Sequence, residues 1–77
     1  MKVQVYASLK DHFEKDFELT EPIPDIDALK NKLKILAPNA EQLLQRCRFA
    51  VSDEFVDSNF KLNNHDTVFV IPPSSGG

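Results

Sequence analysis

Thr67-Val68-Phe69-Val70-Ile71-Pro72-Pro73-Ser74-Ser75-Gly76-Gly77 falls into two parts that obey different rules. Thr67 to Ile71 is β-branched or aromatic throughout and apolar on both faces, the composition of a central strand flanked by others. The residues after it forbid the strand's continuation. Pro72 and Pro73 hold φ near −65° and have no N–H to offer a neighbour, so the chain must leave the sheet in an extended form. Gly76 and Gly77 are the only glycines among 77 residues, where average usage would supply about five. Lacking a Cβ, a glycine pair can enter spaces closed to any other residue. The final six residues, at about 3.3 Å each, reach roughly 20 Å. This reading divides the chain into a folded domain, residues 1–71, and an extended flexible tail, residues 72–77. The tail would deliver the α-carboxylate of Gly77 into another protein's active site, with Pro72, Pro73, Ser74, Ser75 and Gly76 as the thread.

Upstream of that strand, Asn63, Asn64, His65 and Asp66 read as a tight polar turn in which Asn accepts positive φ without glycine. Arg48 to Ser52 alternates, with Phe49 and Val51 on one face; Asp53 and Glu54 form a turn tip, and Phe55-Val56 a short returning strand. At the other end, Lys2 to Ala7 places Val3, Val5 and Ala7 on one side against Gln4 and Tyr6. A charged stretch from Ser8 to Lys15 then leads into a second strand, Asp16 to Thr20. Pro22 and Pro24 are punctuation. Asp25 stands at an N-cap and Asp27 adds charge that suits the helix dipole. Ile26, Leu29, Leu33 and Leu36 make one apolar stripe, ending before Pro38. A second short helix buries Ala40, Leu43, Leu44 and Cys47.

A hairpin, a helix crossing a mixed sheet, and a last strand lying parallel beside the first is the α+β arrangement called the β-grasp, or ubiquitin-like, fold. The sheet would hold four to five strands packed on one main helix plus a short one. With 77 residues there is material for one modest core, burying about 60% of the unfolded surface.

Composition narrows the function. Apolar content of 42% and charged content of 27% are those of a globular domain. A net charge of −3 argues against nucleic acid as partner, and Lys30, Lys32 and Lys34 read as a solvated polar face. Neither a membrane span nor a signal peptide is legible, so the cytoplasm is the expected location. The single Cys47 reads as a small buried hydrophobe rather than a reactive thiol. His12 and His65 lack neighbouring ligands, so no metal site is expected. Asp53-Glu54 and Asp25-Asp27 read as a turn and a helix start, not as catalytic pairs.

Several stretches carry a resemblance. Tyr6-Ala7 followed by Leu9-Lys10-Asp11, the Ala50-Val51 strand, and Asp66-Thr67-Val68 running into Pro72-Pro73-Ser74-Ser75-Gly76-Gly77 resemble the small subunit of molybdopterin synthase, within the ubiquitin-like sulfur carriers. The double proline before the double glycine favours this subfamily over the thiamine sulfur carrier. The chain departs from the pattern at Ser74, where a small apolar residue is common, at Ser52, often asparagine, and at Asn64-His65, where a glycine is usual. The resemblance implies that an ATP-dependent enzyme adenylates Gly77 and that a persulfide-derived sulfur then leaves a thiocarboxylate. The large subunit of the synthase would use that sulfur to build the dithiolene of molybdopterin. No cofactor would be bound by this chain; the activating partner would consume ATP. The resemblance also implies an apolar partner-facing patch of Tyr6, Phe55 and Ile71, against the alternative that Phe55 packs into the core. Two other roles stay open at this point: a carrier for another sulfur pathway, thiamine-type, and a ubiquitin-like protein modifier joined to lysines. A plain interaction domain is a third.

Overall fold

The structure, a computed structural model, describes residues 1–73. Its strands are β1 (Lys2–Val5), β2 (Asp16–Glu18), β3 (Arg48–Val51), β4 (Glu54–Val56) and β5 (Thr67–Ile71); its helices are α1 (Ile26–Leu36) and α2 (Glu41–Arg46). They form one sheet in the order β2-β1-β5-β3-β4. β5 is central and parallel to β1, with Val5 opposite Val70, while β1–β2, β3–β4 and β3–β5 are antiparallel. A parallel pair cannot be joined by a tight turn; between β1 and β5 the chain forms β2, passes through α1 and α2, and returns through β3 and β4. This is the β-grasp fold expected from the sequence.

The parity of each strand decides which residues meet the helix. Val3, Val5, Phe49, Val51, Val68 and Val70 join Ile26, Leu29, Leu33 and Leu44 in one buried cluster. Each such side chain removed from water stabilises the fold by roughly 1.5–3 kcal/mol before entropy is counted. Among the described residues no polar or charged side chain is buried.

The start of α1 is unusually well satisfied. Asp25 is the N-cap, its Oδ1 accepting from the Ala28 N–H at 2.8 Å. The orphan N–H groups of Ile26 and Asp27 donate to the carbonyls of Phe60 (3.1 Å) and Ser58 (2.8 Å). The 57–62 loop therefore serves as the cap for donors that a helix leaves unpaired.

Four local expectations are corrected. The helix stripe is Ile26, Leu29 and Leu33; Leu36 is the last residue of α1 and is 49% exposed, with Ala37 already out of helical geometry. The stretch after β1 is not a plain charged loop but a 3-10 turn, Ala7–Asp11, that buries Leu9 completely. Phe13 and Phe17 stack beside it at 5.8 Å. The lysines of α1 are half-buried rather than fully solvated: Lys30 donates to Ser58 Oγ (3.0 Å) and lies 5.5 Å from the Phe49 ring centroid, and Lys32 pairs with Glu21 at 2.9 Å. Their long stems cover apolar surface while the ammonium groups reach out.

The fourth correction concerns positive φ. The turn tip of the β3–β4 hairpin is Ser52-Asp53, at φ 54° and 66°, and Glu54 already belongs to β4. A two-residue hairpin loop with both residues left-handed matches the twist of the flanking strands. The Asn63–Asp66 turn, by contrast, needs no positive φ. It is closed by side chains: Asp66 Oδ2 accepts from Asn63 N–H (2.9 Å) and Asn63 Oδ1 from His65 N–H (3.0 Å). Asn and Asp make such local bonds in place of the glycine.

Candidate functional site

Residues that alternate with the core positions point to the sheet's other face. Across β1, β5, β3 and β4 one row reads Gln4, Phe69, Ala50, Phe55, by the pairings Gln4↔Phe69, Ala50↔Phe69 and Ala50↔Phe55. The next row toward the end of β5 pairs Ile71 with Arg48. Tyr6 follows β1 in extended conformation and so stands beside Ile71. On the β2 side the same face is charged, with Lys2 opposite Glu18.

The result is an apolar concavity of about 500 Å³ lined by Tyr6, Ala50, Asp53, Phe55, Phe69 and Ile71. Tyr6 is 40% exposed and Phe55 53% exposed, while Phe69 and Ile71 are half-buried. The Tyr6 and Phe69 rings tilt at 34° with centroids 6.2 Å apart, within the range of favourable aromatic pairs. A solvent-facing sheet surface of this composition is the signature of a docking area.

The structure brings together Tyr6, Phe55 and Ile71, the three residues the sequence picked for a patch, and Phe55 is not a core residue. Three members were missed. Phe69 was legible from parity, since Thr67, Phe69 and Ile71 share a face. Ala50 was legible in the same way, since it alternates with Phe49 and Val51; Asp53 carried no such signal, because its position depends on the hairpin turn. Pro72 is buried and Pro73 half-buried at the end of β5; Ser74, Ser75, Gly76 and Gly77 lie outside the described residues.

Other candidates fall away by placement. Cys47 is buried, its Sγ donating to the Leu43 carbonyl at 3.2 Å. Burial pushes its thiol up to about 11, against the opposing pull of the Lys30 charge. A thiol in that state is a poor nucleophile. His12 and His65 are exposed, and among the described residues no three His, Cys, Asp or Glu side chains gather as a metal site would require. Among the described residues no helix is long and apolar enough to cross a membrane. The apolar face described above adjoins the end of β5, which leads into Pro72-Pro73.

These features define a ubiquitin-like domain with an exposed apolar face beside the end of its last strand. The model of the ThiS family matches residues 3–77, and the chain belongs to that family of small sulfur carriers. A molybdopterin synthase sulfur carrier subunit of Dictyostelium discoideum is 31% identical over 99% of this chain and 94% of its own length. Among solved structures, a putative molybdopterin converting factor subunit 1 from Pyrococcus furiosus superposes with a TM-score of 0.82 at 19% identity, covering 95% of each chain. A complex of subunits 1 and 2 of molybdopterin-converting factor from Helicobacter pylori contains a chain with TM-score 0.72 and 25% identity, covering 99% of this chain and 96% of that one.

Proposed function

We propose that this chain is the sulfur-carrying small subunit of a cytoplasmic molybdopterin synthase, with the carboxylate of Gly77 as its reacting group. An α-carboxylate has a pKa near 3.5, is fully ionised at neutral pH and resists nucleophiles. An ATP-dependent activating enzyme would adenylate it, releasing pyrophosphate. A persulfide would then attack through its outer sulfur and displace AMP, forming an acyl disulfide; a thiol would cleave the S–S bond, itself ending in a disulfide, and leave a thiocarboxylate, a soft and strong nucleophile. In the large subunit that sulfur would pass to the pyranopterin precursor. This chain contributes the reacting atom and its positioning, and the partner supplies acid-base chemistry. Gly76 and Gly77 give clearance in a narrow channel.

The observation that carries the reading is the juxtaposition of two features: an apolar face built from Tyr6, Phe55, Phe69 and Ile71, and the end of β5 that runs directly into Pro72-Pro73. A domain that only folds has no need to display that face at the root of a glycine-ended tail. The family match that extends through Gly77 and the paired subunits of the Helicobacter pylori complex support the same assignment.

The test is to incubate the protein with an adenylating enzyme, ATP and a persulfide donor, and to weigh it intact. Exchange of one oxygen for sulfur adds about 16 Da; conjugates heavier by a whole chain would instead mark a protein modifier. Adding the large subunit and precursor should return the mass to its starting value as dithiolene forms. A loaded carrier that keeps its sulfur under those conditions would place the chain in another sulfur pathway.

A further inference from the structure

Beside the apolar concavity, the Arg48 guanidinium carbon lies 3.6 Å from the ring centroid of Phe55. Arg48 is exposed and opens β3 directly opposite Ile71, so its charge sits at the rim nearest the tail's departure. A guanidinium lying on a ring keeps its face covered and its N–H fork free at the edge, in the plane that suits a bidentate carboxylate. Among the described residues nothing takes up that fork. The ion pairs are Lys32–Glu21 and Lys61–Asp25, and no side-chain hydrogen bond involves Arg48. Asp57 lines a neighbouring concavity together with Arg48 and Lys30 yet makes no ion pair with either.

We propose that Arg48, held by Phe55, is a specificity-determining contact that receives an aspartate or glutamate of the large subunit when the apolar face docks. The inference rests on the functional reading above. Two observations select this occupant over a second copy of the chain or a small anion. The fork is continuous with an apolar surface of protein-docking composition, and it flanks the point where the tail must enter the partner. A carboxylate there would fix the orientation of the body relative to the tail, because the docking face itself is apolar and only weakly directional. Charge at the rim also raises the association rate and discriminates between partners.

The experiment uses the complete chain and the large subunit from the same organism, with Kd measured by calorimetry at low and high salt. Arg48→Met keeps the apolar stem over Phe55 and removes the charge; Arg48→Glu reverses it; Arg48→Lys keeps charge without the fork; Asp57→Asn tests the internal acid. The proposal expects R48M to weaken binding about tenfold at low salt, the low end for loss of one hydrogen bond to a charged group. R48E should weaken it further and R48K less. These differences should shrink at high salt as screening removes the charge term. D57N should bind as the native chain does. Changing one interfacial carboxylate of the partner to lysine should restore binding to R48E. Equal affinities for native, R48M and R48E, or losses that ignore salt and track only thermal stability, would overturn the proposal. A native chain that fails to bind the large subunit at all would instead sink the functional reading on which it rests.

Discussion

Phe55→Ala is the perturbation that most directly weighs the docking face. A phenylalanine offers roughly 200 Å², and at 53% exposure about half of that stays open to a partner. At about 25 cal/mol per Å² the removable contribution is about 2.5 kcal/mol, a limit of roughly 70-fold in Kd. Ordering costs at an interface reduce what area delivers, so a loss between about 10- and 70-fold is expected. The fold should survive, since the ring gives up only its half-buried side and its stack on Arg48, worth about 1 kcal/mol at an exposed site. Calorimetric titration against the large subunit measures the first quantity and thermal unfolding the second. Ile35→Ala is the control: it is 72% exposed on α1, which packs on the opposite side of the sheet. If F55A stays folded and binds within twofold of the native chain, or if I35A is equally damaging, the outer sheet face is not the docking surface.

Three further outcomes follow from the fold. Leu33→Ala, at a fully buried position, should cost about 2–5 kcal/mol, whereas Leu36→Ala, at 49% exposure, should cost under about 1 kcal/mol; chemical denaturation separates them. Ser52→Asn should stabilise by roughly 0.5–1 kcal/mol, since asparagine tolerates the left-handed φ of 54° better than serine. At about 2.1 cal/mol/K per residue that is a Tm rise of roughly 3–6 °C. Cys47 should resist thiol reagents in the folded protein at pH 8. Its folded pKa of about 11 lies above the ordinary 9.0, so the neutral thiol's contribution is fully present below pH 9 and is lost as pH rises toward 11. Stability measured across that window should fall, and a Cys47→Ala variant should show a shallower decline.

Chain-local chemistry was enough to read much of this molecule. Period-two and period-3.6 patterning, the Asp25 cap and the proline stops are interactions between near neighbours, so they located every strand and both helices. The same holds for the centrality of β5, whose apolar residues on both faces require neighbours on both sides. What tertiary structure alone decided are questions of register and of closure at a distance. Leu36 has the spacing of a core residue, but it is the last residue of α1 and stays exposed. The left-handed pair is Ser52-Asp53 rather than Asn63-Asn64, because hairpin twist sets that demand and side-chain bonds relieve the other turn. The stacking of Arg48 on Phe55 beside Ile71 joins three strands, and no local pattern encodes it. Residues far apart in the chain become neighbours only when burial of the common apolar face fixes how each strand slides against the next.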